Sequence, residues 1–217
     1  MRLITTILIL LQFMLASGQE FKYPEIKKNG ETINDFILSG WKISSLDSTD
    51  FNKDSLMDYV VVLEKNNFIT ISDNNDCSGD AKYYPKILLI LFKSNAGILF
   101  KSLQTNKIFG NCNWGIQGTD PFVKVGIRKK SFYITFETGG TERTTFNSYF
   151  SFRDNDWYLI GETTISWELP TTDFYIKDEN FITKEVEEYR LINEKKMNKK
   201  KHRIENESLV KLSEYKN

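Results

Sequence analysis

The sequence predicts a mainly β fold: a single antiparallel β-rich domain, arranged as a meander, sandwich or partial barrel, with a short N-terminal helix. Three observations carry that prediction. Short apolar or alternating runs recur along the chain, separated by clusters of Gly, Pro, Asn and Asp. Aromatic residues make up 14% of the sequence, with 16 Phe and 10 Tyr, and such side chains, together with Val, Ile and Thr, suit a pleated, half-buried surface. No long segment carries the 3.6-residue stripe of an amphipathic helix.

The elements follow in order. Met1-Arg2, the apolar run Leu3 to Leu15 and the small residues Ala16-Ser17-Gly18 have the layout of an export signal, so 1–18 is expected to be removed and 19–217 to form one domain. The run is shorter than the ~20 residues that span a bilayer, and no later segment is longer, so the mature chain is expected to carry no integral membrane segment. Glu20 to Lys28, with Pro24, reads as extended. Glu31 to Leu38 reads as the short helix, capped by Asn29 or Thr32, with Ile33, Phe36 and Ile37 on one side and Gly40 ending it. Strands are expected over Trp41 to Leu46 and Tyr59 to Glu64.

Lys65 to Pro85 is a long polar connection. Lys86 to Phe92 is the most apolar run and is therefore expected at the centre of the sheet. Asn95-Ala96-Gly97 turns it into a hairpin with Ile98 to Leu103. A second long loop, Thr105 to Pro121, precedes a meander: Phe122 to Ile127, Ser131 to Glu137, Arg143 to Phe152 and Trp157 to Gly161. Its turns fall at Arg128-Lys129-Lys130, Gly139-Gly140 and Asp154-Asn155-Asp156. Shorter strands are expected near Ile165–Trp167, Phe174–Ile176, Phe181–Leu191 and Ser208–Leu212. Lys195 to Arg203 is a basic cluster, read either as a solvated tip or as a patch for an anionic lipid or polymer.

Composition narrows the function. Lys and Arg number 29 against 29 Asp and Glu, a formal net charge of +0, which offers no overall footprint for nucleic acid. The two cysteines, Cys77 and Cys112, lie in the two long loops. In an exported chain they pair most simply with each other, which would stabilise the fold by roughly 3–4 kcal/mol; the alternative is two buried thiols. Two cysteines and a single histidine, His202, do not make a tetrahedral zinc site.

The segment Asp50-Phe51-Asn52-Lys53-Asp54-Ser55-Leu56-Met57-Asp58 carries the strongest chemical signal. Asp50, Asn52 and Asp54 occupy alternate places, the Leu56 carbonyl adds a backbone oxygen, and Asp58 closes the loop ahead of Tyr59-Val60-Val61-Val62-Leu63. This is the donor set of a Ca²⁺ loop, where a hard cation takes 6–8 oxygens at about 2.3–2.6 Å. The sixth place, normally Gly, holds Ser55, at a cost on the order of 1 kcal/mol if its backbone is left-handed. The alternative is an Asx-rich turn held by its own backbone bonds. The loop and its strand resemble the calcium-loop unit of FG-GAP/VCBS-type repeats, here in a single copy, since no period of further loops follows. Asp73 to Asp80 lacks the spacing. Over most of the chain, the succession of Trp41-Lys42-Ile43, the aspartate loop, Lys86 to Phe92, Phe146 to Arg153 and Trp157 to Gly161 resembles uncharacterised exported proteins and lipoproteins of Bacteroidetes-type bacteria, without their lipobox cysteine. That resemblance implies export and one β-rich domain, and no activity.

Catalytic signatures are sparse. There is no G-x-S-x-G elbow, and S-x-x-K occurs both at Ser39–Lys42 and at Ser208–Lys211, without companion motifs. Glu137, Glu142, Glu162 and Glu168 fall near strand ends and are the carboxylates from which a carbohydrate-acting hydrolase would draw its pair. The expectation is therefore a non-enzymatic envelope protein, periplasmic or secreted, with one structural Ca²⁺ and an unknown envelope protein or glycan as partner. Trp114, Asp120 and Arg143, on the loops Asn111 to Pro121 and Gly139 to Arg143, are the expected binding surface. The alternatives are the hydrolase, and an inhibitor or immunity factor of an envelope hydrolase.

Overall fold

The computed structural model describes residues 21–71, 81–110, 113–171, 173–205 and 208–215. Residues 1–18, expected to be an export signal, and both cysteines, Cys77 and Cys112, lie outside the described residues. The strands are β1 (Asn29–Gly30), β2 (Trp41–Thr49), β3 (Asp58–Lys65), β4 (Ile69–Ile71), β5 (Ala81–Tyr83), β6 (Lys86–Lys93), β7 (Leu99–Thr105), β8 (Phe122–Arg128), β9 (Ser131–Gly139), β10 (Glu142–Arg153), β11 (Asp156–Glu168), β12 (Phe174–Asn180), β13 (Glu185–Ile192) and β14 (Lys195–Arg203). They form a five-stranded sheet in the order β1-β7-β6-β3-β2, a seven-stranded meander running from β14 to β8 in spatial order, and the small pair β4-β5. All of these pairings are antiparallel.

The five-stranded sheet is buried on both faces, which is why β3 and β6 read as unbroken apolar runs instead of alternating ones. Val60, Val62, Leu88, Ile90 and Phe92 pack against Phe132, Ile134, Phe136, Phe150 and Trp157 of the meander. On the other face, Val61, Leu63, Ile87, Leu89 and Leu91 are covered by Ile26 and Phe36 of the N-terminal arm and by Trp41 at the start of β2. Burying each such aliphatic side chain stabilises the fold by about 1.5–3 kcal/mol. The arm is fastened to β7 by polar contacts: the Ile26 amide donates to Gln104 Oε1 (3.0 Å), and Gln104 Nε2 donates to the Pro24 carbonyl (2.8 Å).

The expected helix over Glu31 to Leu38 is a single 3₁₀ turn, Ile33–Phe36. The Asp35 carboxylate accepts from the amides of Glu31 (2.9 Å) and Thr32 (2.8 Å), tying off the turn at its start. Ile37 is already extended, and Phe36 is drawn into the core. A helix this short gains too few hydrogen bonds to offset nucleation, so burial of Phe36 sets the local conformation.

The meander outruns the core. Strands β8 to β11 supply its apolar face, whereas all nine residues of β14 are exposed. Glu187 on β13 meets three of the β14 lysines, Lys196 (3.4 Å), Lys199 (2.9 Å) and Lys201 (3.5 Å). Residues 208–215 return to the core beside β11: the Leu159 amide donates to the Val210 carbonyl (2.9 Å) and the Leu212 amide to the Trp157 carbonyl (2.8 Å). Leu212 is fully buried there. Among the described residues, no helix is long and apolar enough to cross a membrane.

Candidate functional site

The loop between β2 and β3 is wound by two residues with left-handed backbone, Lys53 (φ 67°) and Ser55 (φ 72°). The sixth place therefore makes the turn that glycine normally makes. The winding brings the Asp50 Oδ1 and Asn52 Oδ1 atoms onto the same amide, that of Asp54, at 3.0 and 3.1 Å. Asp54 Oδ1 in turn accepts from the Leu56 amide (2.8 Å). Asp58 is fully buried at the head of β3. Its Oδ2 accepts from the Phe51 amide and its Oδ1 from the Lys93 amide, both at 3.0 Å, so it brackets the loop to the end of β6. Burial holds the Asp58 carboxyl above its ordinary pKa. Asp50 is held below its own by the Lys130 ammonium at 2.8 Å, which reaches over from the β8–β9 turn. Among the described residues, no group of three or more His, Cys, Asp or Glu side chains is gathered as a metal site. The Asp50, Asn52, Asp54 and Asp58 side-chain oxygens accept from the loop's own backbone amides, the Asn52 side chain, the Lys93 amide and Lys130.

Each of the three expected binding-surface residues is partly buried. Trp114 packs on the core, its ring 5.8 Å from Phe136, and its carbonyl accepts from Thr138 Oγ1 (2.5 Å). Asp120 is engaged structurally: it pairs with the buried Lys86 ammonium, which also meets Glu64 at 3.3 Å, and its Oδ1 accepts from the Phe122 amide (3.0 Å). Arg143 lies in register between Gly139 and Trp167, and its Nε is buried without a hydrogen-bond partner.

Glu137 and Glu162 fall on opposite faces of the meander. Glu137 is in register with Thr145 on the outer face of the meander, while Glu162 is in register with Ser148 on the inner face. Glu162 Oε1 accepts from Ser148 Oγ (2.9 Å) and from the Tyr215 hydroxyl (2.8 Å). Burial raises the Tyr215 pKa, keeping that hydroxyl a donor. Glu142 and Glu168 are cross-strand partners at the exposed end of β10 and β11.

The outer face of β8, β9 and β10 was not singled out by the sequence reading. It forms an open trough of about 640 Å³ lined by Lys124, Arg128, Tyr133, Thr135, Asn147 and Tyr149, among others. Gly126 stands opposite Tyr133 in the strand register. A Cβ at Gly126 would lie 2.4 Å from Tyr133 Cζ, so the tyrosine ring lies across the glycine. Tyr133 and Tyr149 have ring centroids 5.6 Å apart, and the Arg128 guanidinium sits 5.3 Å from the Tyr149 centroid. Thr135 Oγ1 donates to Asn147 Oδ1 (2.8 Å), leaving the Asn147 amide nitrogen to the trough. The signal for this site in the sequence is the alternation of β9, which turns Tyr133 and Thr135 away from Phe132, Ile134 and Phe136.

No protein-family model, curated protein or solved structure matches this chain.

Proposed function

We propose that this chain is an exported, non-enzymatic envelope protein, a β-rich binding module whose loop 50–58 takes one structural Ca²⁺. The observation that carries this reading is the winding of the loop. Left-handed backbone at Lys53 and Ser55 turns the Asp50 and Asn52 oxygens toward one amide, the convergence that an FG-GAP-like loop needs. Asp50, Asn52, Asp54, Asp58 and the Leu56 carbonyl are the proposed ligands. A bound cation would neutralise carboxylates for which Lys130, on Asp50, is the one ion-pair partner among the described residues. Its role is to stiffen the entrance to β3, with no part in a reaction.

Two further elements belong to the proposal. Residues 1–18 direct export and are removed. Cys77 and Cys112 form a disulfide; supporting this, Asn113 Nδ2 donates to the Lys82 carbonyl (2.6 Å), so the segments following the two cysteines are joined. The hydrolase alternative is less well supported, because Glu137 and Glu162 project from opposite faces of one sheet.

Thermal melting of the mature chain tests the reading. Millimolar CaCl₂ is expected to raise the melting temperature over that in EDTA, with MgCl₂ less effective and Asp54→Ala abolishing the gain. An identical melting temperature in calcium and chelator would leave only an Asx-rich turn and defeat the proposal.

A further inference from the structure

We propose that the outer face of β8, β9 and β10 binds an acidic polysaccharide, a chain of uronate-type pyranoses, with sugar rings against Tyr133 and Tyr149 and carboxylates directed to Lys124 and Arg128. This rests on the binding-module reading above and names its ligand and its surface.

Three features of the trough converge on that chemistry. The first is the aromatic floor. Tyr133 lies over Gly126, and only a residue without a Cβ permits this, since the added carbon would stand 2.4 Å from the ring. Both tyrosines remain partly exposed, beside polar side chains and the apolar Val123 and Ile127. Flat, partly exposed rings take the C–H face of a pyranose while the hydroxyls stay wet.

The second is charge. Lys124 and Arg128 project from the same face of β8, on either side of Gly126, and neither has a carboxylate partner among the described residues. Four residues of strand separate them, about 13 Å at 3.3–3.4 Å per residue. One carboxylate does not span that distance, so the pair fits a polymer with repeated anions better than a single small acid.

The third is the polar row beside the rings. Asn147 offers its amide donors, and Glu137, held by Thr145 Oγ1 at 3.4 Å, offers carboxylate acceptors. Mixed donors and acceptors match sugar hydroxyls.

The test is native affinity electrophoresis of the mature chain through gels containing polygalacturonate or alginate, with dextran, dextran sulfate and a thymidine dodecamer as comparison probes. Retardation by a uronan, and not by dextran, is expected. Tyr133→Ala should weaken it by about tenfold although the net charge is unchanged, and Arg128→Gln, a fully surface change, should weaken it as much. Tyr133→Phe should retain it, which separates loss of the ring from loss of the fold. No retardation by either uronan, equal retardation of Tyr133→Ala, or stronger retardation by dextran sulfate or the oligonucleotide would overturn the assignment. The calcium-dependent melting shift, read on the same samples, reports separately on the module: its persistence without uronan binding sinks the face assignment alone.

Discussion

Replacing Asp58 with alanine removes the side chain that ties the 50–58 loop to the core by hydrogen bonds, beside the apolar anchor Phe51. Asp58 is fully buried, and each carboxylate oxygen holds a backbone amide at 3.0 Å, that of Phe51 on one side and that of Lys93 on the other. Leaving a buried amide without an acceptor costs about 1–3 kcal/mol each. Relief of the desolvated charge, visible in the raised Asp58 pKa, returns part of that, so the net loss in EDTA is set at about 2–4 kcal/mol. With a urea m-value of about 1–3 kcal/mol/M, the midpoint should fall by roughly 1–2 M. Tryptophan fluorescence is the natural probe, because Phe51 packs edge-on against Trp157 at 5.1 Å. Asp58→Asn should lose about half as much, since it keeps one acceptor and turns an amide donor toward the other. Adding CaCl₂ at ten times its Kd should stabilise the wild type by about 1.4 kcal/mol and Asp58→Ala by none. An Asp58→Ala midpoint in EDTA within about 0.2 M of the wild type would refute the bracket.

Three other outcomes are expected. Lys86→Met should cost about 1–3 kcal/mol in urea unfolding, because it leaves Asp120 without its counter-charge and Glu64 with Lys42 as its partner, and Asp120→Asn should recover part of that loss. Gly161→Ala should cost about 1–3 kcal/mol, since its Cβ would lie 2.6 Å from the Glu179 carbonyl oxygen on the neighbouring strand and backbone would have to move. The Asp35 carboxyl, held down chiefly by the Thr32 amide, should titrate near about 2 by NMR. A depressed carboxylate pKa contributes stability above its unfolded value of 3.8 that is lost as pH falls through the folded one, so this share should disappear between roughly pH 4 and 2; a midpoint near 4 would contradict it.

Much of the fold was legible, and the parts that were not share a physical cause. Burial leaves a mark in sequence. Lys86 to Phe92 was expected at the centre of the sheet and lies there, between β7 and β3, because both of its faces are covered. The hairpin at Asn95-Ala96-Gly97 and the turns at Gly139-Gly140 and Asp154-Asn155 also fall where turn residues predict them. Elements that bury nothing leave no such mark. The β14 strand looked like a basic tip, since its conformation comes from backbone pairing to β13 and its charges answer Glu187. Conversely, Ser208 to Leu212 looked like a strand because Leu209, Val210 and Leu212 are apolar, yet it makes only an isolated bridge at Lys211.

The site was read unevenly for a related reason. The turn at the sixth place of the aspartate loop is a local property, and Ser55 carries the left-handed backbone that the spacing demands. The partners of Asp120 and Glu162 are distant in sequence: Lys86 lies 34 residues away and Tyr215 53 residues away. Loop position alone therefore made both look freer than they are. The tyrosine trough needed the register of three strands before Gly126, Tyr133 and Tyr149 came side by side.

The return of residues 208–215 to β11 has a consequence for how the molecule is made. Leu212 fills the same apolar interior as Val60, Phe132 and Trp157. A polypeptide emerging amino end first must therefore wait, with its larger hydrophobic interior unsealed, until that leucine is delivered. Chains that end before Leu212 should accordingly be stickier and more protease-sensitive than those that carry it.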